Sequence, residues 1–291
     1  MFSKDKKRGE LTMSKIGFIG AGSMAEAMIA GLLKGKVYKP EEVIVANRSN
    51  SSRLEQLTKM YGIKTTHHKE SLVKEASIIV LAMKPKDVQA GIDGIQGLIE
   101  NQLIVSVLAG ISFETITNIL GKQTAIVRAM PNTSAAIGKS ATAIAASKDV
   151  TRNQIENCKS LFEAIGICKL VEEEQLDAVT GLSGSGPAYI YYLVEAMEKA
   201  AVEVGLDSEV ARELIVQTLV GASEMIAQSD KHPSQLRKEV TSPNGTTEAG
   251  ITILQERGFE ESLVSCIKRA TERATELKIM FEDELITTDK K

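Results

Sequence analysis

Two short stretches carry residue types at spacings that could do chemistry. The first reads Lys15-Ile-Gly-Phe-Ile-Gly20-Ala-Gly22-Ser23-Met24-Ala25 and matches Gly-x-Gly-x-x-Ala. In that pattern Gly20 permits a tight turn, Gly22 lets the backbone approach a pyrophosphate, and Ala25 allows a helix to pack close to a strand. A helix opening at Ser23 and Met24 would present free N–H groups and its positive dipole end to the phosphates. The motif is weak in isolation. Here it follows an apolar strand-like run and precedes a helix-compatible one, which is the context it requires.

The end of the second strand separates one dinucleotide from another. NAD-binding chains usually place Asp or Glu there for the ribose hydroxyls. This chain reads Val45-Ala-Asn47-Arg48-Ser49-Asn50-Ser51-Ser52. No carboxylate is present to repel a 2′-phosphate. Arg48 can pair with one, and Asn47, Ser49 and Ser52 can donate hydrogen bonds. The reading is NADPH, with NADH as the alternative; a plain solvated Arg48 is the other account. Further strand ends supply Ala82-Met-Lys84-Pro85, Ala109-Gly and Met130-Pro131-Asn132. Ligands of open α/β sheets bind beyond the carboxyl ends of the strands, so these residues should surround the nicotinamide.

The second stretch is Val240-Thr-Ser242-Pro-Asn244-Gly245-Thr246-Thr247-Glu-Ala-Gly250. A Pro-Asn-Gly turn followed by two threonines opens a helix. Its N–H groups and hydroxyls would make an anion trap suited to a small carboxylate. Ordinary N-capping by Thr246 or Thr247 is the simpler reading of the same residues.

These stretches need elements to position them. The first half alternates strand-like runs, Lys15–Gly20, Glu42–Asn47, Ser77–Met83, Leu103–Ala109, Ala125–Met130, Ala141–Ala146 and Ile167–Val171, with helical stretches such as Met24–Lys34 and Ser52–Tyr61. Near-continuous apolar strands alternating with helices predict a doubly wound, mainly parallel sheet covered on both faces. After about residue 172 the strand-like runs give way to helices over 172–180, 188–204, 208–228, 234–240, 247–256 and 260–283. Punctuation falls at Gly181–Pro187, Gly205–Asp207, His232–Pro233, Ser242–Gly245 and Arg257–Phe259. The expected organisation is an N-terminal extension over 1–12, a nucleotide-binding Rossmann domain over 13–171 and an all-α domain over 172–291. The stretch Ser208–Gln228 is apolar on more than one face, which calls for burial on most sides. A small domain offers few such places, so a second copy of the chain is expected to cover it.

Composition narrows the function classes. The 291 residues are 43% hydrophobic and 25% charged with a net charge of −3, ordinary for a globular chain and without the clustered basic excess of a nucleic-acid binder. No apolar run is long enough to span a membrane, and no apolar core of a signal peptide follows the basic N-terminus, so the expected location is cytoplasmic. Three cysteines, Cys158, Cys168 and Cys266, suit reduced thiols in or near the core. With three histidines, His67, His68 and His232, and no Cys-x-x-Cys, no metal site is expected.

The chain from Met13 to about residue 280 resembles the pyrroline-5-carboxylate reductase family. The resemblance is carried by Phe18–Ala25, Ala82–Pro85, Val127–Thr133, Gly184-Ser-Gly-Pro-Ala188 and Thr241–Gly250. It implies a Rossmann domain, a helical dimerisation domain, an active site at the dimer interface and dimers gathered into rings. It implies NADPH-dependent reduction of the cyclic imine 1-pyrroline-5-carboxylate to proline. The segment matching Ser242, Asn244, Gly245, Thr246 and Thr247 would hold the substrate carboxylate, with the Thr247 hydroxyl at the imine nitrogen. Two departures stand out. Pro243-Asn244-Gly245 replaces the usual Pro-Gly-Gly, and His67-His68-Lys69-Glu70 lacks the Asn that often touches the cofactor ribose; a surface His is the plain reading there.

Two other readings stand beside this one. A β-hydroxyacid dehydrogenase shares the plan but would need a Lys early in the helix after the glycine-rich linker, and Gly186–Val194 has none. An NADP-binding sensor or regulatory protein would bind the cofactor and catalyse nothing.

Overall fold

The computed structural model describes residues 15–288, with side chains described through Glu282; the extension over 1–12 lies outside them. The chain divides into two compact units, one running to Ser185 and resuming at Ala270, the other covering Gly186–Arg269.

The first unit contains β1 (Lys15–Ile19), α1 (Ser23–Lys34), β2 (Val43–Ala46), α2 (Ser51–Tyr61), β3 (Lys64–Thr66), α3 (Lys69–Glu75), β4 (Ala76–Leu81), α4 (Val88–Ile92), β5 (Leu103–Ser106), α5 (Phe113–Leu120), β6 (Ile126–Met130), β7 (Ser140–Ala146), α6 (Arg152–Glu163), β8 (Gly166–Leu170) and α7 (Leu176–Val179). The eight strands form one sheet in the order β3-β2-β1-β4-β5-β6-β7-β8. All neighbours are parallel except β6 and β7. This is the expected doubly wound Rossmann sheet.

The inner strands β1, β2, β4 and β5 read as nearly continuous apolar runs because both faces are covered. Residues of alternating parity point to opposite sides. Ile16, Phe18, Val43, Val45, Val80 and Val105 join one core, packed by Met28, Ile29 and Leu32 of α1 and by Leu161 and Phe162 of α6. Ile19, Ile44, Ile79, Leu81 and Ile104 join the other, packed by Leu72 of α3, Ile92 of α4, Ile116 of α5 and Phe281 near the chain's end. Arg128 of β6 is a buried cation, 2% exposed, and is paired with Glu173 at 2.8 Å. The same carboxylate accepts the Phe113 N–H at 2.7 Å, so it serves two buried donors at once.

Three local expectations need correction. The edge strand β3 carries no apolar alternation and was not anticipated. Residues 172–180 are not one helix: a 3₁₀ turn at Glu173–Gln175 leads into the four-residue α7. The supposed break over Gly181–Pro187 is instead a π-helical turn at Thr180–Gly184, followed at once by a helix from Gly186. Glycines at 181, 184 and 186 and Pro187 suggest a loop, yet a wide turn tolerates glycine, and Pro187 sits in a helix's first turn, where its missing N–H costs no hydrogen bond.

The second unit holds α8 (Gly186–Glu203), α9 (Ser208–Gln228), α10 (Pro233–Glu239), α11 (Thr246–Glu256) and the start of α12 (Phe259–Thr288). In the single chain it has almost no core. Among its residues only Ala211 and Ile215 are buried hydrophobics, whereas Tyr192 is 76% exposed, Leu214 57% and Met225 61%. Such a set of apolar faces needs a further surface to bury them. The cysteines divide likewise: Cys158 and Cys168 are buried as expected, while Cys266 is exposed on α12, contrary to the expectation of three core or near-core thiols.

Candidate functional site: a nucleotide turn and an anion turn

The glycine-rich turn is built as its sequence requires. Gly20 has φ +113° and lies so close to β4 that an added Cβ would sit 2.4 Å from the Ala82 carbonyl carbon. Only glycine fits there. Its N–H donates to the Ala46 carbonyl at 2.9 Å, which docks the turn on the end of β2. Gly22 is different: a Cβ there would come no nearer than 3.9 Å to Ala82, so the space above it is open. Gly22 is also the N-cap of α1 and no side chain caps it, leaving the N–H groups at Ser23 and Met24 free for a phosphate. Ala25 is fully buried, consistent with close packing of α1 on the sheet.

Beyond β2 the chain turns back on itself. Asn47 Oδ1 accepts the N–H groups of Ser49 at 3.2 Å and Asn50 at 2.9 Å, and Asn50 Oδ1 accepts the Arg53 N–H at 2.9 Å to cap α2. These short-range bonds leave Arg48 and Ser49 exposed at the tip. Arg48 has no ion-pair partner among the described residues.

The carboxyl ends of the parallel strands bring the remaining candidates to the same end of the sheet. Ala82 follows β4, with its N–H on the Ile19 carbonyl at 2.9 Å. Lys84 is exposed and caps a 3₁₀ turn that Pro85 opens. Ala109 follows β5. Met130, Pro131 and Asn132, at the end of β6, are buried. The Asn132 amide is engaged on both sides: Oδ1 accepts the Ser134 N–H at 3.2 Å, and Nδ2 donates to the Ser183 carbonyl at 3.0 Å. It fastens β6 to the π-helical turn.

Residues without a sequence signal complete this region. Arg53, thirty-two residues beyond Ala21, donates from Nε to the Ala21 carbonyl at 2.9 Å and pairs with Glu26 in the first turn of α1. His67, placed by sequence as a surface residue, contacts the Asn47 carbonyl and the Ser51 hydroxyl. Neither contact follows from local spacing.

In the second unit Ser242, Asn244, Gly245, Thr246 and Thr247 form one compact turn. The Gly245 N–H donates to the Ser242 carbonyl at 3.0 Å, and Asn244 takes φ +58°, the left-handed conformation that Asn tolerates. Helix α11 begins at Thr246 with Gly245 as its N-cap and no side-chain cap, so the simpler reading of Thr246 or Thr247 as a cap does not hold. The hydroxyls of Ser242, Thr246 and Thr247 have no partner among the described residues. Glu248 reaches back to the Asn244 N–H at 2.7 Å. The contact falls one residue before the N-cap N–H that a Gly245-x-x-Glu248 capping box would engage. It leaves the N–H groups of Thr246 and Thr247 as the turn's donors.

The first unit can therefore hold a dinucleotide, and the second can hold a small carboxylate beside unengaged hydroxyls. No group of three metal-binding side chains occurs among the described residues, and none of their helices is long and apolar enough to cross a membrane.

Comparison with known proteins agrees with both halves. Residues 15–110 match the family model described as NADP oxidoreductase, coenzyme F420-dependent, and residues 173–277 match that of pyrroline-5-carboxylate reductase dimerisation. Pyrroline-5-carboxylate reductase 2 of Bacillus subtilis (strain 168) is 51% identical over 269 residues, 92% of this chain and 97% of the relative. The enzyme of that name from Synechocystis sp. is 38% identical over 90% of this chain and 98% of its own length. A Plasmodium falciparum pyrroline carboxylate reductase solved with NADP bound superposes with TM-score 0.85 at 27% identity, covering 91% of this chain and 98% of that one. A Coxiella burnetii pyrroline-5-carboxylate reductase gives TM-score 0.82 at 35% identity, covering 91% and 98%. With its nucleotide turn, its helical unit and these relatives over nearly the full length, the chain belongs to the pyrroline-5-carboxylate reductase family.

Proposed function

We propose that this chain reduces 1-pyrroline-5-carboxylate to L-proline with NADPH. The observation that carries the reading is the Ser242–Thr247 turn, whose free N–H groups and hydroxyls suit a small carboxylate, in a chain whose first unit carries an open nucleotide turn. When bound, the nicotinamide supplies the hydride. The protein's part is to hold and orient. The N–H groups of Ser23 and Met24, above Gly20 and Gly22, take the pyrophosphate. Arg48 and Ser49 take the 2′-phosphate, and Asn47 supports them. Ala82, Lys84, Pro85, Ala109, Met130 and Pro131 shape the nicotinamide end, and Asn132 fixes that end through its bond to Ser183.

The hydroxyls of Ser242, Thr246 and Thr247 and the N–H groups of Thr246 and Thr247 hold the substrate carboxylate, and Asn244 and Gly245 shape the turn that presents them. A protonated cyclic imine is already electrophilic, so the site needs no strong acid. The Thr247 hydroxyl orients the ring nitrogen and keeps its proton in place. Domain roles follow: residues 13–171 bind the cofactor, and within 172–291 the helical unit Gly186–Arg269 brings substrate and pairs the subunits. The chain forms a homo-oligomer whose helical units bury the exposed faces of α8 and α9 against each other, with dimers able to gather into a ring. The reaction suits the cytoplasm.

The test is turnover. Adding pyrroline-5-carboxylate should oxidise NADPH with proline formed in equal amount, faster than with NADH. Thr247→Ala should lower kcat/KM about 100-fold while leaving NADPH affinity unchanged. Binding of NADPH without oxidation would overturn the reading in favour of a non-catalytic NADP-binding protein.

A further inference from the structure

We propose that His67 sets the preference for NADPH over NADH by bracing the loop that meets the 2′-phosphate, an inference that rests on the cofactor role given above to Arg48 and Ser49. The loop runs from Asn47, at the end of β2, to Ser51, at the start of α2. Its other side-chain bonds are local, and one backbone bond ties its start to the end of β3. Asn47 and Asn50 each bind N–H groups two or three residues ahead, and the Asn47 N–H donates to the Thr66 carbonyl at 3.2 Å. His67 spans both ends. Its Nδ1 lies 2.7 Å from the Asn47 carbonyl oxygen, and its Nε2 lies 3.1 Å from Ser51 Oγ.

A carbonyl oxygen only accepts, so Nδ1 carries a hydrogen and donates to Asn47. Nε2 pairs with the Ser51 hydroxyl, a group that both donates and accepts. One imidazole thus closes a bridge from the last residue before Arg48 to the first residue of α2. The neighbouring His68 does nothing of the kind: its carbonyl accepts from Ser71, and its N–H donates to Thr66.

Bracing matters because Arg48 and Ser49 are exposed and the bond at the tip, from the Ser49 N–H to Asn47 Oδ1, lies within the loop itself. A flexible tip must be ordered when it closes on a phosphate, and that ordering opposes binding. A tip already held by His67 has less to lose. NADH has a hydroxyl where NADPH has the phosphate and draws little on the tip. His67 is therefore a positioning residue whose removal should be felt by one cofactor and not the other.

The experiment is calorimetric titration of the full-length protein with NADPH and, separately, NADH, for the wild type, His67→Ala, Ser51→Ala and the double variant. Each single change should weaken NADPH binding about 5- to 10-fold and NADH binding less than twofold. The double variant should bind NADPH no worse than the weaker single variant, because both changes open the same bridge. Saturating kcat should stay within about twofold, so the effect falls on KM. Unchanged NADPH affinity in His67→Ala, equal weakening of both cofactors, or additive losses in the double variant would each overturn the proposal. If His67→Ala does not fold, Ser51→Ala carries the test. A wild type that binds both cofactors equally would overturn the 2′-phosphate reading of Arg48 and Ser49 along with this one. A wild-type preference that persists in the variants would remove His67 alone.

Discussion

Arg53 reaches from α2 to the glycine-rich turn and donates from Nε to the Ala21 carbonyl at 2.9 Å, while the other side of its guanidinium pairs with Glu26. Tyr61 donates to the same carboxylate at 3.1 Å. The arrangement has two effects. It fixes the residue between Gly20 and Gly22 from outside the turn. It also offsets a carboxylate lying in the first turn of the helix that must receive the pyrophosphate. Arg53→Gln should therefore weaken NADPH and NADH alike, each about 10-fold, because both carry a pyrophosphate. Titration with the two cofactors separates this pattern from the selective loss expected for His67.

The two glycines of the turn should fail in different ways. At Gly20 a Cβ would meet backbone at 2.4 Å in a left-handed conformation, so Gly20→Ala should lower the melting temperature by several degrees, a cost on the order of 1–3 kcal/mol. At Gly22 a Cβ meets nothing nearer than 3.9 Å, so Gly22→Ala should melt with the wild type yet bind NADPH at least 10-fold more weakly. Calorimetric melts and cofactor titrations of both variants check the contrast.

Asn244 tests the anion turn. It stands at φ +58° with its N–H on Glu248. Asn244→Gly should keep full activity, since glycine adopts that conformation at no steric cost. Asn244→Val should strain the turn by about 1–2 kcal/mol and raise KM for pyrroline-5-carboxylate, with NADPH affinity unchanged. Steady-state kinetics in both substrates read the difference.

Alkaline pH should weaken the first unit. Burial, aided by the charge of Glu163, pushes the Cys168 thiol from 9.0 up to about 11. Burial pushes Cys158 up as well, and burial with Glu42 raises the Tyr38 hydroxyl to about 12. The unfolded chain releases these protons at lower pH than the folded one. Stability is thus fully present below about pH 9 and is lost as pH rises towards and through about 11. Melting temperatures across that range should fall, and Cys168→Ala should flatten the lower part of the decline. A flat profile in the wild type would contradict the burial of these groups.

The sheet was legible because its inner strands are buried on both faces and so read as nearly continuous apolar runs of strand length. The glycine turn and the Thr241–Gly250 turn were legible because each needs particular residues at fixed spacing. The three-residue strand β3 was not: Lys64, Thr65 and Thr66 lie at a sheet edge and bury no stripe. The π-helical turn at Thr180–Gly184 was hidden behind glycines that ordinarily mark a loop. The contacts of Arg53 with Ala21, His67 with Ser51 and Asn132 with Ser183 join residues 32, 16 and 51 positions apart, set by the fold rather than by a local pattern. Asn132 shows the limit from the other side. Its place at the carboxyl end of the sheet followed from the end of β6, yet its amide serves the π-helical turn.

Hydride transfer from the cofactor to the imine carbon of pyrroline-5-carboxylate is read out by isotope tracing. The protein would be incubated with pyrroline-5-carboxylate and NADPH carrying deuterium in place of both hydrogens at C4 of the nicotinamide, and the product examined by mass spectrometry and NMR. The expected product is L-proline with one deuterium at C5, formed in step with NADP⁺. Oxidation of NADPH without labelled proline, or no oxidation while NADPH binds, would contradict it.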